Sequence, residues 1–173
     1  MSKFFVLLFA AAVAAVSGCV NDSSMDIPAV TNFDIQRYMG KWYEIARLPN
    51  SFEKGMSQVT AEYTLKSDGK VKVVNCGIKN SVRTCVTGVA EFADSSGTGE
   101  LKVSFFRPFY SRYRIIKLAA DYSYAVVTGS DKKYLWILAR EKHLPNDVLQ
   151  KLLDYLNDNK YPIEKLIYPQ LKP

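Results

Sequence analysis

Few residues of this chain can make or break bonds: it has three cysteines and a single histidine among 173 residues. Cys76 and Cys85 lie close together in a stretch of alternating apolar and polar residues, while Cys19 stands apart, directly behind an apolar run. In an exported chain, Cys76 and Cys85 would pair as a disulfide; left reduced, they would be two free thiols. With His143 as the only imidazole there is no spacing for a structural zinc site. No nucleophile elbow, phosphate loop or zinc-protease run is present, and His143 falls in a loop, beside no visible nucleophile. Glu44 and Glu62 also lack a visible catalytic partner, and Glu62 should face solvent. These residues describe a chain that is not an enzyme and needs neither metal nor cofactor.

The start reads Met1-Ser2-Lys3, then an apolar stretch from Phe4 to Val16, then Ser17-Gly18-Cys19. These are the basic, apolar and small-residue regions of an export signal. The stretch is shorter than the roughly 20 apolar residues a transmembrane helix needs, and Asn21, Asp22, Ser23 and Ser24 follow at once. Val16-Ser17-Gly18-Cys19 resembles the lipobox of bacterial lipoproteins. The resemblance implies cleavage before Cys19 and acylation of that residue, through diacylglycerol and palmitate groups; an ordinary signal with a cysteine nearby is the other reading. Several acyl chains anchor stably, where one holds only marginally. Val20, in place of the aspartate that retains such proteins at the inner membrane, implies the outer membrane, with the folded part on the periplasmic side. The expected divisions are 1–18 as leader, 19–30 as lipidated tether and 31–173 as one folded domain.

A hydrophobic content of 48% against 23% charged residues is that of a globular chain. The leader takes one lysine and no acid, so 22 basic residues face 17 acidic ones, a net charge of +5. Those cations are scattered along alternating positions, which suits a solvated surface and no nucleic-acid partner.

Short alternating segments follow one another, separated by Ser67-Asp68-Gly69, Ser95-Ser96-Gly97-Thr98-Gly99 and Gly129-Ser130-Asp131. They predict strands near Lys41–Leu48, Gln58–Lys66, Lys70–Gly77, Arg83–Phe92, Glu100–Phe106, Arg112–Leu118, Tyr124–Thr128 and Tyr134–Glu141. Eight such strands can close into an all-β, antiparallel up-and-down barrel, although alternation alone also allows a sandwich. Val148, Leu149, Leu152, Leu153 and Leu156 recur at helical spacing after Leu144-Pro145, and predict one C-terminal α-helix packed outside. Strand parity places Cys76 with Lys72 and Val74, and Cys85 with Arg83 and Glu91, on outward faces of neighbouring strands. A disulfide across that hairpin is therefore geometrically reasonable.

Gly40-Lys41-Trp42-Tyr43-Glu44-Ile45-Ala46-Arg47 is similar to the first motif of the lipocalin family, in its bacterial lipocalin and apolipoprotein D branch. Asp121-Tyr122 resembles the second motif, with Ala120 where the motif has threonine. Arg140, at the end of the last strand, matches the third. Val103 to Tyr110 also resembles the bacterial branch. The resemblance implies that Arg140 lies across the Trp42 ring at the closed end, with Gly40, Asp121 and Tyr122 completing the barrel-closing motif.

If Arg140 points inward, parity sends Leu138, Trp136 and Tyr134 inward too, together with Val59, Ala61, Tyr63 and Leu65, and with Leu101, Val103 and Phe105. The sixth strand is ambiguous between Tyr113 and Ile115 on one face and Arg114 and Ile116 on the other; Tyr113 is taken as interior. Tyr63, Val103, Phe105, Tyr113, Tyr134, Trp136 and Leu138 are the expected ligand contacts. Phe52, Phe106, Phe109 and Tyr110 would ring the mouth. Such a lining suits an apolar ligand oriented by a few hydroxyls. The resemblance implies a carrier of fatty acids or lysophospholipids in the cell envelope. The alternatives are a structural or interaction lipoprotein with a side-chain-filled barrel, or an enzyme modifying a lipid or isoprenoid. The sequence leaves a homodimer open.

Overall fold

The computed structural model describes residues 27–93 and 97–169. Cys19 and the leader lie outside them. A four-residue helix, α1 (Ile35–Tyr38), precedes eight strands: β1 (Gly40–Arg47), β2 (Ser57–Leu65), β3 (Val71–Lys79), β4 (Val82–Phe92), β5 (Glu100–Phe106), β6 (Phe109–Leu118), β7 (Tyr124–Thr128) and β8 (Leu135–Ala139). Each pairs antiparallel with the next, and β1 also pairs with β8, so the sheet closes on itself. That closing ladder decides for a barrel over a sandwich, because it leaves no open edge. Helix α2 (Asn146–Asp158) follows.

Two apolar clusters hold the molecule. One fills the barrel and includes Trp42, Ala61, Tyr63, Val73, Leu101, Ile115, Val127 and Leu138. The other lies outside the sheet, where Leu152 and Leu156 of α2 cover Ile116, Val126, Leu135 and Ile137. Both faces of β6 are thus apolar for different reasons: Ile115 faces the interior and Ile116 lies under α2, which is why alternation there is ambiguous. Among the described residues both clusters are built from residues 27–169, all of which the chain from Val20 onward retains.

The turn between β3 and β4 shows why that hairpin holds register. Asn80 and Ser81 both adopt positive φ, 51° and 64°, the geometry of the two-residue turn whose twist matches its strands. Cys76 sits opposite Cys85 in that hairpin and is bonded to it, on the outward face. β6 begins at Phe109, three residues before its expected start, and lengthens the hairpin at the mouth.

Candidate functional site

The closed end is a plug. Gly40 opens β1 with φ of +89°, a conformation other residues adopt only with strain, and a Cβ there would sit 3.5 Å from Arg140 Nη1. Arg140 lies 3.9 Å above the Trp42 ring. Its Nη1 and Nη2 donate to the carbonyls of Lys41 and Arg37 at 2.9 and 2.8 Å, while Trp42 Nε1 donates to the Tyr38 carbonyl at 2.9 Å. Asp121 accepts from the Ser123 N–H at 3.0 Å and shapes the turn that carries Tyr122. Tyr122 in turn accepts from Asp34 N and lies 4.1 Å beneath Arg37. Arg37 Nη2 donates to the Ala120 carbonyl at 3.0 Å, a backbone contact that needs no threonine side chain at that position.

Above the plug, three tyrosines form a floor. The Tyr113 hydroxyl lies 2.7 Å from that of Tyr38 and 2.9 Å from that of Tyr63. All three are buried deeply enough that desolvation raises their pKa values, that of Tyr63 to about 12. They stay neutral, and their hydroxyls satisfy one another. Tyr63 and Tyr113 therefore belong to a filled floor, as does Leu138, which is 5% exposed.

A charged cluster stands beside this floor. Between Glu44 and Ala46 the pairing of β1 with β8 shifts by one residue. The bulge turns Ile45 and Ala46 both outward, into the cluster under α2, and brings Glu44 and Arg47 to the same interior side. Arg47 Nη1 donates to Glu44 Oε1 at 2.5 Å, with both side chains 2% exposed. Arg47 Nη2 donates to the carbonyls of Glu53 and Met56, at 2.8 and 3.1 Å, and so pins the β1–β2 connection to the barrel. Glu53 Oε2 accepts from Trp136 Nε1 at 2.9 Å and from Asn50 Nδ2 at 2.7 Å. Burial pushes the Glu44 carboxyl up to about 8, with Glu53 adding to the rise, against the opposing pull of Arg47. Glu44 therefore holds its proton through neutral pH, and Glu53, 3.8 Å from Arg47 Nε, faces the guanidinium charge.

Sequence reasoning missed this group: it found no catalytic partner for Glu44 and did not place Arg47 beside it. Strict alternation would send Arg47 outward. The signal available was the break in alternation at Ile45-Ala46, two apolar residues in succession.

Toward the mouth the interior is open. Val86 and Phe105 lie on the inward faces of β4 and β5 yet are 48% and 37% exposed. Phe105 reaches across to Gly88, where a Cβ would come within 2.7 Å of its ring; the glycine makes room for the aromatic side chain. Val103 packs at the junction with the core. Trp136 and Tyr134 stack at 6.2 Å, and Phe52 lies 6.3 Å from Tyr134. Asn75 shares this inward face, and its Oδ1 is buried without a hydrogen-bond partner. The result is an apolar cup over a tyrosine floor, with one charged wall. Two depressions elsewhere, beside Pro49 and Pro162 and beside Pro28 and Leu118, lie outside the barrel.

Residues 33–171 match the model of the lipocalin-like domain family. The chain belongs to the lipocalin family. As a lipocalin it is a binding protein and not an enzyme. It is 39% identical over 158 residues to the outer membrane lipoprotein Blc of Vibrio cholerae serotype O1, covering 90% of this chain and 92% of that one. It is likewise 39% identical to the outer membrane lipoprotein Blc of Escherichia coli K12, over 94% of this lipocalin and 95% of its relative. Apolipoprotein D of Cavia porcellus is 35% identical, over 80% of this chain and 77% of its own. Among solved structures, insecticyanin of the tobacco hornworm superposes with a TM-score of 0.71, at 24% identity and 85% coverage of both chains, which is a likeness of fold.

Proposed function

We propose that this lipocalin holds a single-chain lipid, a fatty acid or lysophospholipid, in the upper half of its barrel, at an outer membrane to which acylated Cys19 tethers it on the periplasmic side. The observation that carries this reading is the contrast within the barrel: a packed lower half closed by Trp42, Arg140 and the tyrosine floor, below an upper half where inward-facing Val86 and Phe105 stay exposed. An acyl chain would cover those apolar surfaces, at about 0.8 kcal/mol per buried methylene. Val103, Trp136 and Tyr134 complete the lining, with Tyr63, Tyr113 and Leu138 beneath it as the base on which the chain end rests. The unpaired Asn75 Oδ1 offers an acceptor to a ligand hydroxyl. The relatives named outer membrane lipoproteins support the location.

Native mass spectrometry with organic extraction, on the chain from Val20 onward, tests the reading. A fatty acid or lysophospholipid in one-to-one ratio is expected, as is quenching of Trp136 fluorescence when the delipidated protein is offered the same lipid. An empty barrel that gives no quenching would favour a structural lipoprotein.

A further inference from the structure

We infer that the open rim of the barrel is a docking surface for an anionic lipid bilayer, so that the cup opens directly onto the membrane. The inference deepens the proposed function. It rests on the acylation of Cys19 for the choice of membrane and for the second of its two arguments, the reach of the tether.

Three separate connections place large apolar side chains in solvent at one end of the molecule. Phe52 between β1 and β2 is 71% exposed, Val82 at the β3–β4 turn 63%, and Phe106 and Phe109 between β5 and β6 are 82% and 75%. All lie at the end opposite Trp42 and Arg140. Large apolar side chains exposed together at one end of a molecule mark an interaction surface. The exposed cations Lys54, Lys79, Arg83 and Arg107 stand at the same three connections, and Lys133 in the fourth. Of the acids there, Glu53 is turned inward against Trp136 and Asp131 lies 3.9 Å from Lys133 Nζ. Aromatic side chains interleaved with an excess of cations match the interface and charge of an anionic bilayer.

The path of the N-terminal segment is a second, independent indication. Phe33 lies in the plug, where its N–H donates to the Gly97 carbonyl. Read backward from there, Val30 pairs with Ile115, and Ile27 accepts from Arg114 Nη1 at 3.0 Å. Arg114 pairs with Thr128, the last residue of β7 toward the mouth. The chain thus climbs from the closed end toward the rim. Eight peptide steps separate Ile27 from Cys19, enough to reach about 27 Å when extended. The six residues of β6 from Phe109 to Arg114 span about 17 Å. An acylated Cys19 can therefore lie in the plane of the rim without the tether doubling back.

The test is sedimentation of the chain from Val20 onward, without acyl groups, with vesicles of phosphatidylethanolamine and phosphatidylglycerol, compared with vesicles of phosphatidylcholine. The protein should bind the anionic vesicles more tightly, and less so as salt rises. A Phe52→Ser, Phe106→Ser, Phe109→Ser variant should bind at least about tenfold more weakly, because those side chains are its apolar contact. Each cation near such a surface contributes about fivefold in affinity, so Lys79→Gln, Arg83→Gln, Arg107→Gln together should lose roughly a hundredfold at low salt. Lys66→Gln, which removes an exposed cation at the β2–β3 turn, on the closed end, should bind like the parent. Equal binding by parent and rim variants, or none by the parent, would overturn the inference. So would a dimer that dissolves in the phenylalanine variant while the parent ignores vesicles, which would make a second copy the occupant. Quenching of Trp136 by free fatty acid is read separately: vesicle binding without quenching would sink the carrier reading and leave this one standing, and the reverse would do the opposite.

Discussion

Arg47 and Glu44, three residues apart on one strand, point to the same side of it and meet inside the barrel. An unbroken strand would place them on opposite faces. The bulge that joins them also turns Ile45 and Ala46 together toward α2, so a single shift in register builds both a charged wall inside and an apolar patch outside. Taking charge out of water is costly, and burial can outweigh the attraction of a partner. Here it does: Glu44 is pushed up to about 8 despite contact with Arg47.

That rise links stability to pH. A carboxyl whose folded value lies above its unfolded value, ordinarily about 4.5, favours the folded state fully below that lower value. The contribution then declines as pH rises, and is gone once pH passes about 8. The folded protein should therefore lose up to about 4 kcal/mol between pH 5 and pH 9 from this group. Glu44→Gln should flatten the dependence. Urea melts at several pH values read this, and an equal slope in the variant would remove Glu44 as its source.

The plug should behave as one unit. Trp42 is fully buried, and Trp42→Ala should cost about 3–5 kcal/mol. Arg140→Gln should cost about 1–3 kcal/mol, through lost carbonyl contacts and the ring contact. A double-mutant cycle should return a coupling of about 0.5–2 kcal/mol. Additive effects of the two changes, or an unchanged Tm for Trp42→Ala, would separate Arg140 from Trp42 energetically.

Reduction should act at the mouth. The Cys76–Cys85 bond closes a short loop in a hairpin whose β4 arm is exposed on both faces, and Cys85 is itself exposed. Paired Cys→Ser substitution should lower stability by about 2–3 kcal/mol. Hydrogen exchange should quicken in β3 and β4 near Asn80, while amides around Trp42 stay protected. Uniform loss of protection would mean that the bond holds the whole barrel.

Much of the architecture can be read along the chain, because a strand of a barrel alternates with period two and turn residues separate the segments. The outward pairing of Cys76 with Cys85 follows from that period, as does the inward line of Trp136, Leu138 and Arg140. The residues from Gly40 to Arg47 carried the family resemblance. What alternation could not supply was any effect of a neighbouring strand. Whether β1 meets β8 is settled by closure over almost the whole length of the chain. The bulge at Glu44 is a register shift against β8, and only that pairing turns Arg47 inward. Tyr38, Tyr63 and Tyr113 come from three elements distant in sequence, so no local pattern could show that their hydroxyls would meet and fill the floor. Period and turn chemistry are local properties of a chain; register between strands, and what fills the space they enclose, exist only when the strands are brought together.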